Sequence, residues 1–433
     1  MTPPPPPTLA EDEHLTGAGL RKAVAAATIG NALEWFDWTS YSAFAAIFSK
    51  QIFGGHSDTA LLNTFAVFAV GFVMRPLGGA LIGTFADRRG RRAALTLSIS
   101  LMALGALIIG ITPGYNQVGI WAAVILVVAR LIQGVSVGGD YGSSPIFLSE
   151  IAAPRRRGLV SSLHYVSLTF GLLAASGLGW LLSTLLTSEQ LEGWGWRIPF
   201  LCGALAALWG LYLRRAVAEP GVFVAAQRAD QQVAPPAEGR SRMVVTILRV
   251  IGMTGLGSIT FWTLTSYLPS QAQQLHIPAS QVFAGSTCAL LIFLVLQPVA
   301  GWLSDRIGRK PLLIGYAVGF AMLAFPLLVG IRLTSGLVLF GVMVIGLTVF
   351  SCYSAISATF LAEQFPTRRR STGVGIAHNV SSALFGGTAP YLLVLLTQSG
   401  RISWFAGYVV VAAVVSAALF ARIPEMSGKP LPQ

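Results

Sequence analysis

Charge is what this 433-residue chain has least of. Only 11% of its residues are Asp, Glu, Lys or Arg, less than half of the roughly 25% usual in soluble domains. A water-facing surface cannot be built from so few charges, which excludes a soluble globular protein. Cysteine is scarce too. Cys202, Cys288 and Cys352 are far apart, each inside an apolar run, so they form neither a disulfide framework nor a metal cluster and read as packing residues. Catalytic signatures are missing as well. No Gly-x-x-x-x-Gly-Lys-Ser/Thr loop, His-Glu-x-x-His pair or Gly-x-Ser-x-Gly elbow occurs. ATP is therefore not expected as the energy source, and neither an enzyme, a cofactor nor a metal site is expected.

What the chain has instead is hydrophobic sequence, 54% of its residues. It is gathered into runs of the roughly 18 residues or more that cross a hydrocarbon core about 30 Å thick. Twelve such runs are read, over 22–48, 60–86, 93–111, 118–149, 159–186, 197–217, 244–270, 279–303, 311–331, 336–362, 371–398 and 403–422. The fourth exceeds one crossing, so it tilts or projects from the membrane. The fold class is an all-α membrane protein of twelve transmembrane helices in two six-helix pseudo-symmetric halves.

The net charge of +12 could point to nucleic acid, but its placement does not. With both termini cytoplasmic, every Lys and Arg except Lys50, Arg75, Arg130, Arg197, Arg332 and Arg401 falls at a terminus, in a cytoplasmic loop, or at a helix end beside one. This is the positive-inside bias of a multi-pass protein. No continuous basic patch interleaved with aromatics exists for a nucleic acid. The expected site is the bacterial inner membrane.

Residues 1–20 read as a disordered cytoplasmic tail with the Pro3–Pro7 run and Glu11, Asp12 and Glu13. The tail lacks the basic start of a cleaved signal, so the first helix is expected to stay in the protein. Residues 21–217 read as the first bundle, 218–243 as a flexible cytoplasmic linker rich in Ala, Gln and Pro, 244–423 as the second bundle, and 424–433 as a cytoplasmic tail.

The two halves echo each other. Gly83-Thr84-Phe85-Ala86-Asp87-Arg88-Arg89-Gly90-Arg91-Arg92 is answered about half a chain later by Gly301-Trp302-Leu303-Ser304-Asp305-Arg306-Ile307-Gly308-Arg309-Lys310. Glu150 with Pro154-Arg155-Arg156-Arg157 is answered at nearly the same interval by Glu363 with Pro366-Thr367-Arg368-Arg369-Arg370. Two similar membrane halves in tandem are the layout of a secondary transporter, with the substrate site between them. Asp87, Arg88, Arg91, Asp140, Glu150, Asp305, Arg306, Arg309 and Glu363 are read as a charge clasp that holds the cytoplasmic gate shut.

Ionisable residues inside apolar runs are costly and commonly functional. The first half carries Glu34, Asp37, Arg75, Arg130, Asp140 and His164, whereas the second has His378 as its one clear example. Glu34, Asp37 and Tyr41 share one helical face. A partly desolvated carboxylate there can carry or relay a coupling proton. A buried guanidinium grips a carboxylate bidentately, so Arg75 and Arg130 can serve an internal acid or an anionic substrate in turn. Arg197, at the outer end of the sixth run, is a further candidate, and Tyr41, His164, His378 and Asn379 are read as substrate contacts. Buried ion pairs between helices also act as structural locks, and His164 and the aromatic residues Trp35, Phe36, Tyr165, Tyr267 and Tyr353 are compatible with plain packing. The pairs Gly79/Gly83, Gly134/Gly138 and Gly386/Gly387 read as close helix contacts.

The two Gly-x-x-x-Asp-Arg-x-Gly-Arg loops resemble the signature of the major facilitator superfamily. Asn31-Ala32-Leu33-Glu34-Trp35-Phe36-Asp37-Trp38, Met74-Arg75-Pro76-Leu77-Gly78-Gly79, Arg130-Leu131-Ile132-Gln133-Gly134 running to Gly138-Gly139-Asp140-Tyr141-Gly142, and Trp194-Gly195-Trp196-Arg197-Ile198-Pro199-Phe200 are similar to its metabolite:proton symporter family. Gln133 through Gly142, Trp194 through Phe200 and Phe385-Gly386-Gly387-Thr388-Ala389 most resemble its 2-oxoglutarate permeases. The resemblance covers about residues 20–420. That family usually has Glu where Asp140 stands, a carboxylate with one methylene more reach. The resemblance implies uptake of a small organic acid with H+, such as 2-oxoglutarate or a related di- or tricarboxylate, by alternating access. Carriers for proline/betaine or for aromatic acids are alternatives, as is, more remotely, a membrane sensor that transports nothing. The partners implied are the organic acid, the proton and membrane lipid, with a monomer as the default state.

Overall fold

The computed structural model describes residues 17–54, 57–89, 91–138, 144–215, 240–330 and 333–432. Every regular element among them is helical, as it must be where lipid cannot satisfy backbone hydrogen bonds. The first half comprises α1 (Gly17–Phe53), α2 (Ser57–Arg89), α3 (Arg91–Ile111), α4 (Trp121–Val137, resumed as Ser144–Ile151), α5 (Arg157–Leu185) and α6 (Ile198–Arg215). The second comprises α7 (Arg240–Trp262, continuing to Gln274), α8 (Ala279–Ile307), α9 (Arg309–Phe325, continuing to Gly330), α10 (Gly336–Ser354 and Ser357–Ala362), α11 (Thr367–Ser381, continuing to Gln398) and α12 (Ile402–Arg422). Eight of these twelve are long and apolar enough to span a membrane by length and composition alone, and α3 and α4 supply shorter apolar stretches. α1 carries Glu34 and Asp37 within its span.

Burial divides each helix into a protein side and a lipid side. On α2, Val73, Leu77 and Leu81 are exposed, whereas Phe65, Phe68 and Phe72 are fully buried. One stripe therefore meets lipid and the other faces the bundle.

The halves meet mainly along α5–α8 and α2–α11, with α1 against α7 between them. These two seams are equivalent under the repeat, in which the second helix of one half faces the fifth of the other. On the first seam, Gly158 of α5 and Gly301 of α8 touch backbone to backbone. A Cβ at Gly158 would lie 2.5 Å from the Gly301 carbonyl oxygen, and one at Gly301 would lie 2.6 Å from that of Gly158. Only glycine fits at either position.

Both ends of the pathway between the halves are closed. At the face bearing the charged loops, the Asp305 carboxylate accepts hydrogen bonds from the Gly158 and Leu159 N–H groups at 2.8 and 2.9 Å. Thr359 of α10 donates to Ser161 of α5, and Arg370 Nη1 is 2.6 Å from Glu150 Oε1. At the opposite face, Ser270 and Gln273 donate to the carbonyls of Ser42 and Ala43 at 3.1 and 3.2 Å, and Phe283 packs against Phe44 and Gly179. The conformation is occluded.

The second half contains three π-helical turns, Thr263–Tyr267, Pro326–Gly330 and Ser382–Gly386. Such turns are rare and frequently mark functional positions. Two of the three, in α7 and α11, flank the centre of the molecule.

Candidate transport site

Asp37 sits midway along α1 and is only 2% exposed. Its Oδ2 accepts a 2.8 Å hydrogen bond from Gln133 Nε2 and lies 3.7 Å from Arg130 Nη1. Gln133 and Arg130 are three residues apart on α4, so one helical face presents both to the acid. The other carboxylate oxygen, Oδ1, has no hydrogen-bond partner, and no nitrogen of Arg130 makes a hydrogen bond. This ion pair is long and under-satisfied, unlike the tight fork of a structural lock. A proton on Oδ1 would neutralise Asp37 and release Arg130, leaving a buried guanidinium that needs another anion.

Arg130 and Arg75 are held apart by an aromatic ring. The Arg130 guanidinium lies 3.7 Å above the Tyr41 ring and 5.1 Å from Trp38, while that of Arg75 lies 4.3 Å from Trp38 and 4.0 Å from Phe72. Cation–π contacts of this kind stabilise a desolvated guanidinium without consuming its N–H donors. Arg75 Nη1 reaches across the seam to Ser382 Oγ of α11 at 3.4 Å, a long contact that an incoming carboxylate can replace. Tyr41 donates its hydroxyl to the Thr64 carbonyl at 2.8 Å, so the Tyr41 ring is fixed as a platform for Arg130.

His378 of α11, half-buried, lies in the electrostatic field of both Arg75 and His164 of α5. These three basic side chains from α2, α5 and α11 therefore belong to one region at the seam. Asn379 Nδ2 donates to the Gly138 carbonyl at 2.9 Å, which ties α11 to α4. Glu34, on the same face as Asp37, is half-buried.

Arg197 lies elsewhere. It donates to the Gly193 and Thr112 carbonyls at 2.8 and 3.1 Å and stacks on Trp196. The structure thus places it in a cap at the far end of α6, away from Asp37, Arg75 and Arg130.

Several neighbours went unrecognised in the sequence. Gln133 carried a usable signal, its spacing from Arg130. Trp38 stood in a quoted motif but points to nothing until both arginines flank it. Ser382 and Trp262 carried no local signal at all, because their partners lie in the other half.

The charged-loop face gathers Glu150, Asp305, Arg309 and Glu363 of the proposed clasp. Besides the Asp305 contacts with α5, Arg309 Nε lies 2.8 Å from Glu363 Oε1 and Arg309 Nη2 lies 3.9 Å from Asp305 Oδ1. Arg306 instead stacks on Trp302 at 4.0 Å, and Arg88 is exposed. Asp140 and the side chains of Asp87 and Arg91 lie outside the described residues. The chain after α12 joins this clasp, a feature the sequence did not signal. Glu425 accepts from the Arg309 and Lys310 N–H groups at 3.1 and 2.9 Å. The Lys429 carbonyl accepts from Arg157 at 2.9 Å and that of Pro432 from Arg370 at 2.7 Å. Burial pushes the Glu363 carboxyl up to about 7, against the pull of Arg309 and Arg157. Burial acts the same way on Glu425, but there the three backbone donors Lys310, Arg309 and Ser427 win and hold it below the usual range.

Among the described residues, no group of three His, Cys, Asp or Glu side chains is arranged to hold a metal ion.

Residues 27–390 and 250–432 match the Major Facilitator Superfamily. The chain is 37% identical to the alpha-ketoglutarate permease of Escherichia coli K12 over 416 residues, which cover 94% of this chain and 95% of that one. It is 31% identical to the proline/betaine transporter of the same organism over 442 residues, covering 98% and 88%. Among solved structures, the xylose transporter of E. coli in a partially occluded inward-open conformation superposes with a TM-score of 0.74 at 20% identity, covering 94% of this chain and 98% of that one. With two closed seams, a buried ion pair and this likeness over nearly its full length, the chain belongs to the major facilitator superfamily and is a multi-pass membrane transporter.

Proposed function

We propose that this transporter takes up a small organic acid together with a proton, by alternating access, across a bacterial inner membrane. The Asp37–Arg130 pair is the observation that carries the reading. It is a buried, under-hydrogen-bonded ion pair whose acid has one oxygen open to a proton. Protonation of Asp37 frees Arg130, and the substrate carboxylate then satisfies Arg130, Arg75, or both across the seam. Substrate and proton thereby become mutual requirements for closure, since either alone leaves a buried charge without its counterpart. His164 and His378 stand beside Arg75 as further substrate contacts, and Glu34 serves as the relay beside Asp37.

The charged-loop face is assigned to the cytoplasm on the positive-inside bias, with both termini there. Residues 21–217 and 244–423 act as the two rocking bodies, joined through 218–243. The clasp of Glu150, Asp305, Arg309, Glu363 and Arg370 is the cytoplasmic gate.

2-Oxoglutarate, or a related di- or tricarboxylate, is the first substrate to try, given the permease relative. The test is uptake of labelled 2-oxoglutarate, citrate and shikimate into proteoliposomes with and without an inward proton gradient. Accumulation that collapses with a protonophore supports the reading, and no gradient-driven accumulation of any organic acid overturns it. A second reading, a carrier of zwitterions such as betaine, is favoured by the proline/betaine relatives and by the rings around both arginines. Betaine uptake that no organic acid inhibits would establish it instead.

A further inference from the structure

The centre of the molecule, where the halves meet beside Arg75, is built of rings. Trp35 of α1 and Trp262 of α7 face each other across the seam with centroids 5.8 Å apart and planes 26° from parallel. Phe261 stands edge-on to both, at 5.3 and 5.1 Å. Phe72, whose ring carries the Arg75 guanidinium, is 5.3 Å from Trp262 and perpendicular to it.

Trp35 and Trp262 are also placed by their own surroundings. Trp35 Nε1 donates to Asn31 Oδ1 at 3.1 Å, and Asn31 is itself fixed by donating to Ser167 Oγ and the His164 carbonyl. Trp262 immediately precedes the π turn of α7. Opposite it, Gly386 and Gly387 of α11 leave the space that Trp262 and Phe72 fill. A Cβ would come within 3.0 Å of Trp262 at Gly386 and 2.6 Å of Phe72 at Gly387. Gly386 closes the second π turn, which begins at Ser382, the partner of Arg75. Both helical irregularities of the central layer therefore serve one spot, with Arg75 at one side and the two tryptophans at the other.

We infer that the organic acid of this site carries a planar ring, with its carboxylate on Arg75 and its ring inserted between Trp35 and Trp262. This rests on the reading of the chain as an organic-acid carrier and, within it, selects aryl or similarly flat monocarboxylates over the aliphatic di- and tricarboxylates. A flat ring between two indoles needs about 7 Å between them, two contacts of about 3.5 Å each. The observed 5.8 Å is a separation of centroids, that of two rings in direct offset contact, so the slot is shut on itself in this occluded form. Parting the halves by about one ring thickness, about 3.5 Å, admits the ring, and closing again grips it. Because the indoles belong to different halves, the grip exists only when the halves are together. Stacking energy is thus realised on occlusion and not on entry. An aliphatic dicarboxylate has no surface to fill this slot, and its second charge would fall among rings.

The test uses the full chain in nanodiscs, with 4-hydroxybenzoate and 2-oxoglutarate as probes and tryptophan fluorescence as readout, paired with proteoliposome uptake corrected for empty vesicles. 4-Hydroxybenzoate is expected to bind about tenfold more tightly than 2-oxoglutarate, the factor a stacked pair supplies. Trp262→Ala should weaken it by about tenfold, and Trp262→Phe, which keeps a ring, by no more than about threefold. Trp35→Ala, set against Trp35→Phe, repeats the test should Trp262→Ala fail to fold. Proton-driven 2-oxoglutarate accumulation with no competition from excess 4-hydroxybenzoate would overturn the ring slot while leaving the organic-acid carrier standing. Failure of 4-hydroxybenzoate alone to bind would likewise overturn only the ring slot, whereas absence of gradient-driven accumulation of every organic acid tried would overturn both.

Discussion

Asp305 of α8 caps the first turn of α5, its two carboxylate oxygens accepting from the backbone N–H groups of Gly158 and Leu159. A side chain of one half thus satisfies orphan donors at a helix N-terminus of the other, where the helix dipole also favours negative charge. The Gly158–Gly301 backbone contact alongside brings the two close enough for this to happen.

Asp305→Asn is therefore predicted to loosen the charged-loop side. A hydrogen bond to a charged group contributes about 1.5 kcal/mol or more, so losing one shifts the closed-to-open ratio by about tenfold. The check is the labelling rate of a cysteine placed at Ser161 with a membrane-impermeant thiol reagent. An unchanged rate would remove Asp305 from the gate.

Asp37→Asn should separate the two halves of the transport cycle. The amide keeps the size and the contact with Gln133 but can neither lose nor gain the proton. Gradient-driven accumulation is predicted to fall to background while substrate exchange between the two faces persists. Retained accumulation would take the coupling role away from Asp37.

Glu363 sets the pH dependence of the gate. Its carboxyl is raised by burial to about 7 in the closed state, where it faces Arg309, Arg157, Glu425 and Asp305. Once open to water, it returns toward the ordinary Glu value of 4.5. The closed form thus holds the proton more tightly. Closure is predicted to strengthen as pH falls from about 7 toward 4.5, and to weaken as pH rises through 7. Thiol labelling at the same position against pH should show that slope, and Glu363→Gln should flatten it.

Glu425 should act in the opposite sense. Its carboxyl is held below the ordinary Glu range, chiefly because the Lys310 and Arg309 N–H groups outweigh burial. Its contribution is fully present above the unfolded value of 4.5 and disappears as pH falls through the lower folded one. At neutral pH, Glu425→Gln is predicted to raise thiol labelling at the gate and, by removing a negative charge that helps raise the Glu363 carboxyl, to move the pH slope to lower pH. Equal labelling in variant and parent would show that the chain after α12 leaves the gate unaffected.

The fold was legible because lipid imposes a simple rule on sequence. Long apolar runs, basic loops and a repeated Gly-x-x-x-Asp-Arg loop are each local patterns, and together they set twelve helices and their pairing. Asp37 and Arg130 were legible for the same reason, since a charge in an apolar run is conspicuous. Gln133 was not, because an amide among apolar residues does not stand out until its partner is known. Arg197 looked like Arg75 in the sequence, yet it ends at the carbonyls of Gly193 and Thr112. Its position at the outer end of the sixth run was legible; the backbone carbonyls that take up its donors were not. The Trp35–Trp262 pairing and the docking of Glu425 on α9 both join residues far apart in the chain, so no local pattern could reveal them.

Membrane charge is concentrated in α1, α2, α4 and α5, while Trp262, Phe261, Phe350 and Tyr353 come from α7 and α10. On the proposed reading the engine lies in the first half, whereas the filter is shared, with Arg75 and Trp35 from one half meeting Ser382 and Trp262 from the other. Grafting helices 7–12 from a relative with a different cargo onto this first half should therefore keep the driving ion and weaken the grip on the original passenger without fully exchanging it.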